Sequence, residues 1–238
     1  DEVIVITEYR VTAASTSRSR DGRVEALGMG VDGGHPLLGA RLRAGEGAWR
    51  SNIDVRKQPW LKDHQVDGAI VFPAAGFLEM ALAAGCAEYG LAEVSEFEIL
   101  RPMVIEETVG VDSRVTFDQS TGAVRIESRR ALSEGEWGLH AFGIVRKTPQ
   151  EAAQDAPSVL KNAQKIAAKP LYKMLDGRGL NYGPAFRRLK TIRANMVAAE
   201  ATFAPSQVAG LGMSLDPTTF DAAMHAVFPL IGKKAAEF

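Results

Sequence analysis

The sequence of 238 residues contains a single cysteine, Cys86. One cysteine excludes an intrachain disulfide framework and any metal site built from several thiolates. Cys86 lies in an alanine-rich apolar stretch, so we interpret it as a buried small side chain rather than a nucleophile. The chain also lacks an apolar run of about 20 residues, the length that spans a bilayer. Its N-terminus lacks the pattern of a signal peptide, and we therefore predict a cytoplasmic protein with no membrane partner.

An excess of charge of one sign is also absent. The 28 basic and 29 acidic residues give a formal net charge of −1, which disfavours nucleic acid as the main partner. Apolar residues make up 46% of the chain and charged residues 24%, an ordinary composition for a globular protein. The length is sufficient for one large domain or two packed subdomains.

The clearest predicted element is a helix from Ala74 to Tyr89, which contains no β-branched residue and is followed by Gly90 as a C-cap. Its nearly all-round apolar surface predicts burial, as if a sheet wraps it. A second helix is predicted to start at Pro217, with Asp216 as N-cap, and to run through Val227. One helix followed by a run of strands indicates an α+β fold, with strands predicted at 94–105, 111–118, 122–131 and 137–146.

His64 opens the segment His64-Gln-Val-Asp-Gly68-Ala-Ile-Val-Phe-Pro73, directly ahead of the first helix. This arrangement can place a general base beside the backbone N–H groups of a helix N-terminus. Acid–base chemistry next to a thioester carbonyl needs both features. Taken alone, a histidine ahead of a strand is more often structural, and we interpret His35 and His140 in that way.

Asp221 and His225 stand four residues apart on the second helix and so share a face. Their neighbours are small or apolar, and desolvation pushes a carboxyl group in such surroundings toward its neutral form. A neutral carboxylic acid can donate a proton, and a neutral imidazole can accept one. His64 and Asp221 would therefore form a base and acid pair if the two halves pack helix to helix. Taken alone, such an Asp–His pair is more often a surface pair.

Together these segments resemble the dehydratase domain of modular polyketide synthases, which is related to the dehydratase of animal fatty acid synthase. The stretch from His64 to Pro73 matches its H-x-x-x-G-x-x-x-x-P motif. Tyr182-Gly-Pro-Ala-Phe186 matches its Y-G-P-x-F motif, and Asp221-x-x-x-His225 matches its D-x-x-x-Q/H motif. His35-Pro-Leu-Leu-Gly39 and Trp137-Gly-Leu-His-Ala-Phe-Gly143 are similar to the opening and the closing strand of its first half.

The resemblance implies a double hot-dog fold, an α+β architecture of two antiparallel sheets that each wrap one long central helix. The active site would lie in a tunnel between the halves. The implied reaction is dehydration of a 3-hydroxyacyl thioester, carried by an acyl carrier protein, to a 2-enoyl thioester. His64 would be the base at the α-carbon and Asp221 the acid for the departing hydroxyl. His225 would orient Asp221, and Tyr182 would hydrogen-bond near the leaving hydroxyl.

The resemblance also implies a substrate-binding set of Gly68, Pro73, Gly183 and Phe186. Within it, the Gly68 N–H and the N-terminus of the first helix would polarise the thioester carbonyl. No metal and no dissociable cofactor are expected, because elimination of water requires only proton transfers. The substrate would arrive on the phosphopantetheine of the carrier protein. The expected partners are that carrier protein, neighbouring synthase domains and a second copy in a homodimer.

Two departures from the family pattern affect the predicted domain organisation. Asp216 stands where the family usually has histidine, and few residues follow Leu230, whereas the second half of the family normally continues with several more strands. Residues 1–34 predict a hairpin, with a strand at 3–11, an Asp21-Gly22 turn and a strand near 24–31. They are either linker from an upstream domain or, as we favour, strands that fill the second sheet. The remaining divisions are a first half at 35–148 carrying His64, a linker at 149–158 and a second half at 159–238 carrying Asp221.

Other functions remain open on this sequence. Cyclases and double-bond isomerases on the same fold reuse the histidine, and a scaffold that only docks carrier protein is a non-catalytic alternative. The presence of Asp221 favours dehydration, because some isomerising relatives lose the acid. Glu79 is either a surface carboxylate or a buried hydrogen-bond partner. A basic cluster is either a docking patch for an acidic carrier protein or, as is more common, a solvated strand face; it comprises Arg187, Arg188, Lys190 and Arg193.

Overall fold

The computed structural model describes residues 3–7, 10–14, 34–43, 47–148, 160, 162–195 and 198–228. The helices among them are α1 (Ala74–Tyr89), α2 (Ala168–Asp176) and α3 (Pro217–His225), with a 3-10 turn at Pro59–Asp63. The strands are β1 (Val3–Thr7), β2 (Arg10–Ala14), β3 (Ala40–Arg41), β4 (Ala48–Ile53), β5 (His64–Val66), β6 (Ala69–Ile70), β7 (Ala92–Ile99), β8 (Val111–Asp118), β9 (Ala123–Arg130), β10 (Gly138–Lys147), β11 (Gln164–Ile166), β12 (Leu180–Tyr182), β13 (Leu189–Ala194) and β14 (Ala199–Phe203). None of the described helices has the length and apolarity that crossing a bilayer requires.

The first sheet is antiparallel, with strand order β3-β4-β8-β9-β10-β7, and it packs around α1. Phe77, Met80 and Ala84 of this helix are almost completely buried. The predicted bounds of α1 and its burial are confirmed, and Gly90 caps the helix with a φ of 80°, a conformation that glycine adopts without steric cost. The alternating buried and partly exposed residues of β8 are those of a sheet with one face on a core.

The second sheet has the order β11-β13-β14-β1-β2 and packs against α2 and α3. Its core is built from apolar side chains of both helices and of the sheet, with Leu175, Ile192 and Ala222 fully buried. The predicted cap of α3 is confirmed, because the Asp216 side chain accepts from the N–H groups of Thr218 and Thr219. The helix ends two residues earlier than predicted.

The N-terminal hairpin differs from the prediction. The expected single strand over 3–11 is wrong, because β1 folds back onto β2 with Thr7 opposite Arg10. Only two residues separate these strands, the shortest common hairpin connection. The prediction missed the fold-back because a run of β-branched residues indicates a strand but does not show where the chain reverses. β1 also pairs with β14, with Val3 opposite Thr202, so the hairpin extends the second sheet. The predicted Asp21-Gly22 turn, the strand near 24–31 and the linker at 149–158 lie outside the described residues.

A small third sheet, in the order β12-β5-β6, joins the two halves. β5 and β6 form a hairpin whose turn residues, Asp67 and Gly68, have φ angles of 49° and 78°. Positive φ at both turn positions is the requirement of a type I′ turn, which explains the Asp-Gly pair. β12 pairs with β5 so that Tyr182 lies opposite His64, and two motifs far apart in sequence therefore meet on neighbouring strands.

One predicted strand is too long. Residues 94–105 were expected as a single strand, but β7 ends at Ile99, and beyond it only Val104 forms an isolated bridge, to Val71. Pro102 stands between them, and proline has no N–H to donate to a strand ladder.

Gly85 on α1 provides a test of how closely this helix packs against the first sheet. A Cβ at Gly85 would lie 2.3 Å from Cγ1 of Val145 and 2.8 Å from Cβ of Ala92. Such overpacking costs about 1–3 kcal/mol, whereas alanine gains at most about 1 kcal/mol over glycine in a helix. We therefore expect Gly85→Ala to lower the free energy of unfolding, measured by urea denaturation.

The matched control is Ala87→Ser, at an exposed position on the same helix, which should change the free energy of unfolding by less than about 0.5 kcal/mol. A Gly85→Ala protein as stable as the wild type would contradict the close packing of α1 on the sheet.

Candidate active site

His64 is buried and its ring is held by the main chain. Its Nδ1 lies 2.8 Å from the carbonyl oxygen of Val71, and the Val71 N–H donates to the His64 carbonyl at 3.1 Å. A carbonyl only accepts, so Nδ1 carries the ring proton and Nε2 presents a lone pair. Burial lowers the pKa of His64, which favours the neutral imidazole that a general base requires at neutral pH.

Asp221 and His225 approach this lone pair from α3. Oδ1 of Asp221 lies 3.9 Å from Nε2 of His64, too far for a direct hydrogen bond. The other oxygen, Oδ2, lies 2.9 Å from Nε2 of His225. That distance permits a hydrogen bond, but the orientation of the two groups does not align them. The predicted shared face is confirmed, and the two halves each contribute one member of the His64 and Asp221 pair.

Aromatic rings enclose the pair. The Tyr182 ring lies 5.4 Å from the His64 ring and 4.2 Å from the His225 ring, and Phe186 lies 5.1 Å from His64, between ring centroids. Burial raises the pKa of Tyr182 well above its usual range and that of Tyr172 to about 12. Both phenols therefore remain protonated at neutral pH and can donate a hydrogen bond.

The segment after Tyr182 is fastened to the residue that precedes His64. The carbonyl of Asp63 accepts from the Gly183 N–H at 2.7 Å, and its Oδ2 accepts from the Ala185 N–H at 2.8 Å. A Cβ at Gly183 would lie only 2.2 Å from Oδ1 of Asp63, so this close approach requires glycine. The structure thus gives Gly183 a packing role, and its contact with substrate stays a prediction.

The other predicted substrate-binding residues lie at the two ends of the connection from β5 to α1. Gly68 occupies the exposed tip of the hairpin, where its conformation serves the turn. Pro73 is the N-cap of α1, and its carbonyl accepts from the Gly76 N–H at 2.9 Å. The first N–H groups of the helix, at Ala74 and Ala75, have no acceptor within the helix. Polarisation of a substrate carbonyl by Gly68 or by this helix end remains a prediction.

Three residues around the site were not predicted from the sequence. Trp60 is buried with its ring 6.0 Å from that of Phe186. Tyr172 donates to the Phe186 carbonyl at 3.1 Å and packs edge-on against His225. Glu79, left open by the sequence, is fully buried and accepts three hydrogen bonds. The partners of each residue lie far away in the sequence, and the spacing of residues in a single sequence does not predict such contacts.

Two members of the basic cluster, Arg187 and Arg188, have partners within the chain. Arg188 is buried, with 4% of its surface exposed, and donates to the Ala204 carbonyl and to Asp216. Arg187 is exposed but forms a bidentate pair with Asp176. Both arginines thus make charge-assisted bonds inside the fold, and the docking patch stays a prediction.

Other candidate groups play no evident part in the site. Burial raises the pKa of the Cys86 thiol, which disfavours the nucleophilic thiolate. His140 is bonded to the Ser128 hydroxyl at 2.8 Å and approaches the Arg101 carbonyl at 3.3 Å. Among the residues that the structure describes, no group of three or more His, Cys, Asp or Glu side chains could share a metal ion.

Comparison with known protein families bears directly on this geometry. Residues 35–130 match the family described as "Polyketide synthase dehydratase domain", and residues 149–237 match the one described as "Polyketide synthase dehydratase N-terminal domain". This chain belongs to the polyketide synthase dehydratase family. The predicted relationship is confirmed, and both His64 and Asp221 lie within the matched ranges.

Curated relatives are large synthases. The chain is 35% identical over 219 residues to the phenolphthiocerol synthesis polyketide synthase type I Pks15/1 of Mycobacterium marinum, a match covering 87% of this chain and 10% of that protein. It is 33% identical over 225 residues to polyketide synthase GfsA of Streptomyces halstedii, covering 88% of this chain and 3% of that protein. The chain thus spans a tenth or less of these two relatives. Another relative is Pks1 of Mycobacterium tuberculosis, which is 34% identical over 91% of this chain and 14% of that protein. Its name includes the word inactive.

Solved structures of dehydratase domains share the fold. The dehydratase domain from the CurF module of curacin polyketide synthase superposes with a TM-score of 0.71 at 27% identity, covering 84% of this chain and 78% of that chain. Two CurK dehydratase variants, one with histidine changed to phenylalanine and one with aspartate changed to asparagine, are described as inactive. Both are 26% identical to this chain, and the match covers 85% of this chain and 76% of theirs. The TM-score is 0.70 for the histidine variant and 0.69 for the aspartate variant. The predicted double hot-dog fold is confirmed.

The environment of His64 predicts its titration. Burial lowers its pKa below the usual 6.5, while the negative charge of Asp221 opposes that shift. We therefore expect the His64 ring signals, followed by NMR against pH, to titrate below pH 6.5. In Asp221→Asn the opposing charge is lost, so the midpoint should fall further.

His140 is the internal control for this titration. Its pKa is also lowered by burial, but without a contribution from Asp221, so its midpoint should be the same in both proteins. A His64 midpoint that rises in Asp221→Asn would contradict the pairing of the two groups.

Proposed function

We propose that this chain removes water from a 3-hydroxyacyl thioester on an acyl carrier protein, giving a 2-enoyl thioester during polyketide assembly. The observation that carries the proposal is the pair formed across the two halves, with Nε2 of His64 3.9 Å from Oδ1 of Asp221. A buried base and a carboxyl group that face each other without bonding directly are suited to act on adjacent atoms of one substrate.

In the proposed reaction, Nε2 of His64 takes the proton from the α-carbon of the substrate. The electron pair of that C–H bond forms the double bond to the β-carbon, and the β-carbon–oxygen bond breaks. In the reactive state Asp221 is protonated, and it gives that proton to the departing hydroxyl, which leaves as water. The hydrogen bond to the Val71 carbonyl supports this role for His64, because it holds the ring proton on Nδ1 and stabilises the imidazolium that forms.

Two neighbouring side chains would assist the acid. His225, 2.9 Å from Oδ2 of Asp221, would restrict that carboxyl group to orientations that direct Oδ1 toward His64. Tyr182 is packed against both histidine rings, and its raised pKa keeps its phenol a donor. It would hydrogen-bond to the substrate hydroxyl and hold it within reach of Asp221.

The comparisons support these roles indirectly. The two inactive CurK variants alter a histidine and an aspartate, and His64 and Asp221 of this chain are residues of the same two types. The relatives are multidomain synthases, which supports neighbouring synthase domains as partners and a substrate delivered on phosphopantetheine. Polarisation of the thioester carbonyl by the N-terminus of α1 or by Gly68 completes the proposal.

Water loss from a defined substrate tests this function. With a 3-hydroxyacyl carrier protein or a pantetheine thioester mimic, wild type should produce a mass loss of roughly 18 Da, one water, by proton transfer. His64→Ala and Asp221→Asn should each reduce the rate by about 100-fold or more, because each removes one proton-transfer step. Mass spectrometry of the acyl group measures both effects.

The control is Met224→Ala, at a partly exposed position between Asp221 and His225 on α3, which should keep the wild-type rate. A wild-type reaction that yields a rearranged product of unchanged mass would instead identify an isomerase or cyclase. No reaction with any carrier-bound substrate would favour a docking scaffold.

Tyr182→Phe tests the hydroxyl of Tyr182 separately from its ring. Phenylalanine keeps the ring packing against His64 but loses the hydrogen bond, so kcat should fall by about 10-fold, equivalent to roughly 1.4 kcal/mol. Steady-state kinetics of water loss provide the measurement. If kcat is unchanged, Tyr182 serves only as packing.

A further inference from the structure

Glu79 is a fully buried carboxylate at the boundary between the two halves. It lies on α1, in the first half, and its Oε1 accepts from the Ser214 N–H at 2.7 Å and from Nε2 of His35 at 2.9 Å. Its other oxygen, Oε2, accepts from the Leu215 N–H at 2.6 Å. All three partners donate, so the carboxyl group acts only as an acceptor, which is the role of an ionised carboxylate.

His35 is itself fixed so that it can only donate to Glu79. Its Nδ1 accepts from the N–H groups of Leu37 and Leu38, at 3.3 and 3.0 Å. A nitrogen that accepts carries no proton, so the ring proton lies on Nε2 and points at the carboxylate. The turn at the start of the first half therefore supplies a side-chain donor to the same oxygen, Oε1, that accepts from the Ser214 N–H.

The two backbone N–H groups that Glu79 binds lie immediately before α3. Leu215 precedes Asp216, the N-cap of the helix that carries Asp221. In the second half, Arg188, which immediately precedes β13, donates to Asp216 at 3.3 Å and to the Thr218 hydroxyl at 3.1 Å. The start of α3 is thus held from the first half by Glu79 and from the second half by Arg188.

From this arrangement we propose that Glu79 is a positioning residue, which fixes the start of α3 so that Asp221 faces His64. The inference rests on the proposed dehydration for its effect on rate. Burying a charge is weak support for stability, since well-packed apolar residues often serve as well. Hydrogen bonds to two successive backbone N–H groups, however, fix the direction and the register of the chain that enters α3, which apolar contacts do not.

The position of α3 affects the distance between the two proposed reacting groups, His64 and Asp221. His64 is on β5, which leads through β6 into α1, and Asp221 is on α3, which packs against α1. Their separation therefore depends in part on how the two helices are joined. A misplacement of about 1 Å in an active site can cost about 100-fold in rate. Glu79 touches neither reacting group, and its effect would be transmitted through the start of α3.

The test compares Glu79→Gln and Glu79→Asp with a control on the same helix, Glu88→Gln. Glutamine keeps the side-chain volume of Glu79 but presents an N–H₂ group to one of its hydrogen-bond donors. Aspartate keeps the negative charge on a side chain that is shorter by one methylene. Glu88 pairs with Arg41 and has no contact with residues 214–215 among the described bonds. Activity is expressed per folded protein, determined from thermal unfolding.

We expect kcat of Glu79→Gln to fall by about 10- to 100-fold with KM changed by less than about threefold, because substrate still binds but the reacting groups are misaligned. Glu79→Asp should recover part of kcat, and Glu88→Gln should match wild type. The amide proton signals of Ser214 and Leu215, shifted downfield by a charged acceptor, should move upfield in Glu79→Gln. A kcat within about twofold of wild type once those signals have moved overturns the proposal.

If Glu79→Gln does not fold, Glu79→Asp carries the same comparison. A readout without substrate separates this inference from the proposed function: the nuclear Overhauser contact between the His64 ring and the Asp221 side chain. Weakening of that contact in the Glu79 variants supports the positioning role, even if wild type dehydrates nothing. An unchanged contact overturns the role, whatever the reaction.

Discussion

The antiparallel pairing of β5 with β12 is the interaction on which the site depends. It places Tyr182 opposite His64, and it is continued by the Asp67 N–H, which donates to the Gly179 carbonyl at 2.8 Å. At the other end, Asp63 binds the N–H groups of the loop that follows β12. Except for the Asp63 carboxylate, these contacts are formed by the main chain, so the relative position of the two motifs is set largely by backbone hydrogen bonds.

Asp221 is held in place by different interactions from those that position His64. Asp221 is carried on a short helix that approaches from the second half, and polar groups at the start of that helix are satisfied by Asp216, Arg188 and Glu79. Buried polar networks rigidify a structure when all their members are paired. His64, the proposed base, is therefore placed by a strand ladder, and Asp221, the proposed acid, by a helix whose start is held by a buried hydrogen-bond network.

Local features were predictable from the sequence, because they depend on neighbouring residues. The bounds of α1, the Asp216 cap and the shared face of Asp221 and His225 follow from composition and helical spacing. The pairing of the halves was expected only through the family resemblance, since periodicity says nothing about which distant segments meet.

Tertiary hydrogen bonds account for what the sequence did not reveal. The acceptor for His64 is a backbone carbonyl, which every residue possesses. The burial of Glu79 and Arg188 reverses the exposure expected of charged residues, and only the completed fold supplies their partners. The pairing of β1 with β14, a strand almost 200 residues away in sequence, is likewise a tertiary contact.

The hydrogen bond from His64 to the Val71 carbonyl also imposes an order on the proposed catalytic cycle. With Nδ1 committed to the main chain, the imidazole has a single nitrogen through which a proton can enter or leave. The proton collected from one substrate must therefore depart by the same route before the next substrate can be attacked. Oδ1 of Asp221 lies 3.9 Å from that nitrogen, and in the proposed cycle Asp221 at that stage lacks the proton it has given to the hydroxyl. In the proposed cycle, transfer of one proton from His64 to Asp221 would therefore restore the neutral base and the protonated acid in a single step.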